Sequence, residues 1–180
     1  MMPDELLIDG CLRGDREMQK ALYDKYSSSM YAVALRYSKS VPEAEDTLQE
    51  AFVKIFQSLA TFRNESALKF WIKRIVINSA LNQQRNKLYM YPMVDVNDLY
   101  DWAEEGNAVS NYSYSELLSM IRELPDGCRI IFNLYAIEGY KHHEVASLLN
   151  ISEGTSKSQY ARAKMLLQAK VKENNLINYG

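Results

Sequence analysis

Apolar side chains return at steps of three and four along almost the whole chain, and no stretch alternates convincingly with period two. That one feature confines the chain to an all-α fold. Leu22, Tyr26, Met30, Val33 and Tyr37 mark one helix. Pro42 suits the first turn of the next, which runs on through Ala44, Leu48, Phe52, Ile55, Phe56 and Leu59. Ser66 is placed to cap a third, with Leu68, Trp71, Ile72, Ile75 and Val76 along one side. The rhythm then stops between 89 and 113, where Pro92, Gly106 and several Asn, Asp and Ser residues fall. A structureless run longer than about 12–15 residues is uncommon inside a compact domain. The expectation is therefore two small helical domains, 1–88 and 114–180, joined by a linker over 89–113. Tyr89, Tyr91, Leu99, Tyr100 and Trp102 fit that linker to a surface.

Helices resume at Glu116, where Leu117, Leu118, Ile121 and Leu124 form a stripe that Pro125 ends. Arg129–Ile137 reads as a second helix with Gly139 at its C′ position. His142–Leu149 reads as a third, its apolar set being Val145, Ala146, Leu148 and Leu149. Asn150 and Ile151 make a short turn, Ser152 caps, and a fourth helix runs to about Lys172. A short amphipathic helix, a tight turn and a second helix form the helix-turn-helix plan. In that last helix Ser156, Tyr160, Ala163 and Leu167 share an inward face. Lys157, Ser158, Ala161 and Arg162 share the outward one. The free N–H groups of its first turn suit a phosphate, and Lys157 and Arg162 can reach phosphates or guanine edges. A plain helical hairpin with a basic surface is the alternative.

Charge supports a polyanion partner once the chain is cut. The 180 residues sum to a net charge of only −2. Yet Arg63, Lys69, Lys73, Arg74, Arg85 and Lys87 stand against Glu65 alone, and Lys157, Arg162, Lys164, Lys170 and Lys172 against Glu153 alone. Between them Asp95, Asp98, Asp101, Glu104, Glu105 and Glu116 stand without a basic residue, so the linker is acidic. Solvated helix faces explain such runs too; the asymmetry itself points to nucleic acid.

In the N-terminal half Asp46, Gln49 and Glu50 lie three and four apart on one solvent-side face, opposite Leu48, Phe52 and Ile55. After the loop Phe62–Arg63–Asn64–Glu65 comes a helix with Trp71, Lys73, Arg74, Asn78, Asn82 and Arg85. Aromatic rings interleaved with cations and amides serve single-stranded DNA, whose bases stack on rings and whose backbone is held by charge. Phe62 and Trp71 are equally readable as core. An enzyme is not expected. His142–His143 are neighbours that point apart on a helix and have no Cys or His partners to complete a metal site, and no Gly-rich phosphate loop is present. No cofactor is expected. No run reaches the about 18 apolar residues of a membrane helix. Asp4, Glu5 and Asp9 take the place of a basic leader region, and Cys11 and Cys128 read as free thiols, so a cytoplasmic protein is expected.

Both halves resemble the extracytoplasmic-function sigma factors, the smallest members of the sigma-70 family of bacterial RNA polymerase. The N-terminal likeness is carried by Glu45-Asp46, Gln49-Glu50-Ala51-Phe52, Leu59, Phe62-Arg63, Ser66, Trp71, Arg74-Ile75 and Asn78. The C-terminal likeness is carried by Leu124-Pro125, Arg129, Phe132, Leu134, Glu138-Gly139, Glu144-Val145-Ala146, Leu149, Ile151-Ser152, Gly154-Thr155, Lys157-Ser158 and Ala161-Arg162-Ala163-Lys164. The resemblance implies that Asp46, Gln49 and Glu50 dock on the β′ clamp of core RNA polymerase. It implies that Phe62, Arg63, Asn64, Glu65, Ser66, Lys73, Arg74, Asn78, Asn82 and Arg85 melt and read the −10 element. For the −35 element it implies Lys157, Ser158, Gln159 and Arg162, with Thr155 on a phosphate and the C-terminal domain on the β flap. It also implies promoter DNA and an inhibitory anti-sigma factor as partners. Four positions depart from the pattern: Asn82 where Asp is common, Lys141 where Ser usually caps, Ser156 for Val, and Gln159 for Arg.

Overall fold

A computed structural model describes residues 2–88 and 113–178, with side chains omitted at 84–88, 114 and 174–178. Among the described residues every regular element is a helix. Contacts divide the chain into two compact units, Met1–Gln83 and Gln84–Gly180. The expected acidic linker, with its five aromatic and large apolar residues, lies outside the described residues.

The first unit is built from α1 (Asp4–Leu12), α2 (Arg16–Tyr37), α3 (Val41–Ser58) and α4 (Leu68–Leu88), with a short 3-10 turn over Leu59–Thr61. The stripe expected of α2 is buried in full: Leu22, Tyr26, Met30, Val33 and Tyr37. Helix α3, which packs on α2, buries Ala44, Leu48, Phe52 and Ile55, and α4 buries Leu68, Ile72 and Val76. Trp71 and Ile75, expected with these last three, are only half-buried. Asp15 caps α2, its carboxylate accepting from the N–H of Glu17 at 2.9 Å and of Met18 at 3.3 Å. Pro42 sits in the first turn of α3, as expected, and Ser40, which the sequence reading did not single out, caps it. Ser66 is not the cap of the next helix. α4 starts at Leu68, and it is the Ala67 carbonyl that accepts from the Phe70 N–H, at 2.9 Å.

Helix α1 has no counterpart in the sequence reading. Asp4 ties it to α2, its Oδ1 accepting from Lys25 Nζ at 2.6 Å and Tyr26 Oη at 2.7 Å. Burial pushes the Asp4 carboxyl up, but those two hydrogen bonds and the Lys25 charge overcome it and leave the group below its ordinary value. Gly10 is the close approach. A Cβ there would lie 2.2 Å from Met18 Cγ and 2.6 Å from Met18 Cβ. Gly10→Ala should therefore destabilise the unit by about 1–3 kcal/mol despite alanine's better helix propensity. A urea titration would show it as a lower midpoint, and an unchanged midpoint would contradict the contact.

The second unit holds α5 (Tyr114–Arg122), α6 (Asp126–Phe132), α7 (His142–Leu149) and α8 (Glu153–Asn178). Helix α5 starts earlier than expected. Ser113 and Glu116 close a capping box, the Ser113 N–H donating to Glu116 Oε2 at 2.7 Å and the Glu116 N–H to Ser113 Oγ at 3.3 Å. Helix α6 opens behind Pro125 and passes into a π-helical turn over Asn133–Ile137, then Gly139 follows at φ +80. Only a residue without Cβ adopts that φ freely. Asn150 makes the helix-turn-helix corner at φ 55, which asparagine tolerates. Leu124, Cys128 and Ala163 form the centre of the packing between α5, α6 and α8. Helix α8 continues beyond Lys172. Leu148, expected inside, is 39% exposed.

Candidate nucleic-acid interface

Helix α3 presents Asp46 and Gln49 to solvent, and Glu50 beside them half-buried. Glu50 is already engaged. Lys54 Nζ donates to its Oε1, and Gln83 Nε2 donates to its Oε2 at 3.0 Å. The Lys54 hydrogen bond, then that of Gln83, holds the Glu50 carboxyl below the usual range. Gln83 Oε1 in turn accepts from the hydroxyl of fully buried Thr47 at 2.7 Å. The network therefore ties α3 to α4.

The loop into α4 places Phe62 half-buried against Trp71, ring centroids 5.4 Å apart, and leaves Arg63, Asn64, Glu65 and Ser66 exposed. Asn64 has φ 56, so its residue type also serves the turn. Along α4, Arg74, Asn78 and Asn82 follow at steps of four in one exposed line. Lys73 is half-buried, its ammonium 5.8 Å from the Phe70 ring centroid, and Phe70 itself is 59% exposed. The side chain of Arg85 lies outside the described residues. Beside this line is a cleft of 380 Å³ between α3 and α4, lined by Lys54, Gln57, Ser58, Ile75, Asn78, Ser79 and Asn82. Phe70, Lys54 and Gln57 were missed by sequence reasoning. The Glu50–Lys54 spacing was visible, but only the packing of α4 turns it into a cleft wall.

In the second unit Ser152 Oγ accepts from the Thr155 N–H at 2.9 Å and caps α8 as expected. Lys157 is exposed and pairs with Glu153 at 2.8 Å; Arg162 is half-buried and Ala161 exposed. Ser158 does not belong to the outward set. It is 6% exposed, because the short side chain folds back on its own helix and donates to the Thr155 carbonyl at 2.9 Å. Gln159 is half-buried and held on its carbonyl side, Oε1 accepting from Cys128 Sγ at 3.1 Å. The first turn of α7 is held without a Ser cap. The Glu144 carboxylate accepts from the Lys141 N–H at 2.7 Å. No group of His, Cys, Asp and Glu suited to a metal occurs among the described residues.

These two surfaces coincide with two successive segments of one family. Residues 22–87 match "Sigma-70 region 2" and residues 114–167 match "Sigma-70, region 4", together two thirds of the chain. The chain belongs to the sigma-70 family. Its relatives place it in the extracytoplasmic-function group. It is 28% identical to the ECF RNA polymerase sigma-E factor of Escherichia coli K12 over 94% of this chain and 95% of that one. It is also 28% identical to the RNA polymerase sigma-H factor of Pseudomonas aeruginosa, over 89% and 90%. The fold matches that of the sigma factor RpoE solved with the anti-sigma factor NepR from Bartonella quintana. The TM-score there is 0.53 at 22% identity, over 85% of this chain and 96% of that one. As an RNA polymerase sigma factor it directs transcription initiation; such factors are regulatory rather than catalytic. No helix among the described residues is long and apolar enough to cross a membrane.

One titratable group in this sigma factor sits inside the helix-turn-helix. His142 opens α7, stacks on Tyr135 at 4.1 Å between centroids, and shares a 2.9 Å hydrogen bond with Ser156 Oγ in the first turn of α8. Burial, then the Lys157 charge, lowers its pKa below 6.5, with Glu153 opposing. On acidification the unfolded imidazole takes its proton first. The stability it contributes is therefore complete above the unfolded value and is lost as pH falls through that value toward the folded one. Between about pH 7 and pH 5.5 the wild-type second unit should lose more stability than His142→Gln. Equal losses in a thermal scan at both pH values would contradict this.

Proposed function

We propose that this sigma factor binds core RNA polymerase through α3 and reads two promoter elements. In this reading Asp46, Gln49 and Glu50 dock on the β′ clamp. Phe62, Arg63, Asn64, Glu65, Ser66, Lys73, Arg74, Asn78, Asn82 and Arg85 open and read the −10 element as single strand. Thr155, Lys157, Gln159 and Arg162 read or anchor the −35 element, Ser158 lying behind them, and the C-terminal domain meets the β flap. Stacking and capture of unpaired bases offset the few kcal/mol lost per unstacked step. The functional domains are 1–88 and 114–180, and the acidic 89–113 segment passes through the polymerase between them.

The observation that carries this reading is the exposed line Arg74, Asn78 and Asn82 on α4 beside the cleft that Lys54, Gln57 and Ser79 help to line. A stand-alone helix-turn-helix regulator has no use for it. The Bartonella quintana protein was solved with an anti-sigma factor, and an inhibitory partner of that kind is proposed here too, covering the polymerase and DNA surfaces. The site of action is the cytoplasm, where the polymerase works. The isolated chain should bind duplex promoter DNA weakly at physiological salt and gain specificity only on core polymerase. Tight, specific binding by the isolated chain in a gel shift would overturn the proposal in favour of a stand-alone regulator.

A further inference from the structure

We propose that Lys54 is a promoter-phosphate contact that Glu50 holds in reserve until polymerase engages Glu50. The inference rests on the promoter-reading role of α4 proposed above. Lys54 lies on the wall of the cleft that Asn78, Ser79 and Asn82 also line. In the free chain its ammonium is turned along α3, donating to the Glu50 carboxylate and, at 3.2 Å, to Ser79 Oγ. The same carboxylate stands next to Asp46 and Gln49 on the docking face and accepts from Gln83 at 3.0 Å. One anion therefore separates the polymerase side of α3 from the DNA side of the cleft.

The pair is weak enough to be traded. Both side chains are 40% exposed and spaced i,i+4, and exposed pairs of that spacing favour the paired state only about twofold. A donor or cation on the polymerase that takes the Glu50 carboxylate frees Lys54 at little cost. Its flexible four-carbon stem then carries the charge into the cleft, where the phosphates of a strand read by Asn78 and Asn82 would pass. Until then the charge is neutralised, which keeps the free chain's grip on DNA low.

The test is fluorescence anisotropy of the full chain with a short mixed-sequence single-stranded DNA across a salt series. Glu50→Gln should tighten binding about twofold more than Glu45→Gln does at low salt and steepen the log–log salt slope by up to about 0.7, one further phosphate. Lys54→Met placed on Glu50→Gln should abolish both changes. Glu45→Gln removes the same charge from an exposed site on α3 and should leave the slope unchanged. A gain in Glu50→Gln no larger than in Glu45→Gln, or one that survives Lys54→Met, overturns the proposal. If no variant binds the strand while the chain still directs transcripts from core polymerase, the reserve contact is wrong and promoter reading stands. If transcripts are absent as well, both fall.

Discussion

Arg129→Met should destabilise the second unit by about 3–5 kcal/mol, the range seen when one partner of a buried pair is removed. Arg129 is fully buried, and its guanidinium donates to Asp126 Oδ1 at 2.5 Å and to the Leu124 carbonyl at 3.0 Å. Asp126 is 3% exposed, so the substitution strands a carboxylate inside the unit that holds α8. A small domain has only about 5–15 kcal/mol in total. Hydrogen exchange should show faster exchange across 113–173 and unchanged protection in α2 and α3. Adding Asp126→Asn should recover part of the loss, since a neutral amide costs less to bury than an unpaired anion. No recovery, or a loss under about 1 kcal/mol, would contradict the role given to the pair.

Asp46→Ala combined with Gln49→Ala should weaken binding to core polymerase at least about tenfold while leaving the chain as stable as before, within about 0.5 kcal/mol. The two halves of that expectation have separate causes. Both side chains are exposed in the free chain, so the fold loses no buried contact. In the complex a charged group and an amide would each leave a partner unmatched, and unmatched buried polar groups are what make interface truncations costly. Surface titration against immobilised core, with a denaturation curve on the same sample, measures both. Unchanged affinity would remove α3 as the docking face.

Much of this was legible because helical burial is periodic. The α2 stripe, the Ala44, Leu48, Phe52 and Ile55 stripe of α3 with Pro42, the Ser152 cap and the Gly139 stop follow from local rules and hold, while Phe56 is only half-buried and Leu59 lies in the 3-10 turn that follows α3. The misses have local causes as well. Helix α1 is short, its buried residues are Leu7, Gly10 and Cys11, and Pro3 offers no side-chain cap. The Ser113–Glu116 capping box was readable in the sequence and marks the true start of α5. Ser66 and Ser158 were misplaced because a serine beside a helix end, or on its polar side, has several backbone partners within reach, and the residue type does not choose among them. The Lys54 cleft and the Cys128–Gln159 contact join residues 25 or more positions apart, which no local spacing encodes.

Run-off transcription tests the central claim most directly. Purified bacterial core polymerase would be assayed with and without this chain on fragmented genomic DNA from its source. Discrete transcripts that arise only with the chain, and vanish with Asp46→Ala/Glu50→Ala, are predicted. No transcripts, together with no co-purification with core, would contradict the promoter-directing role.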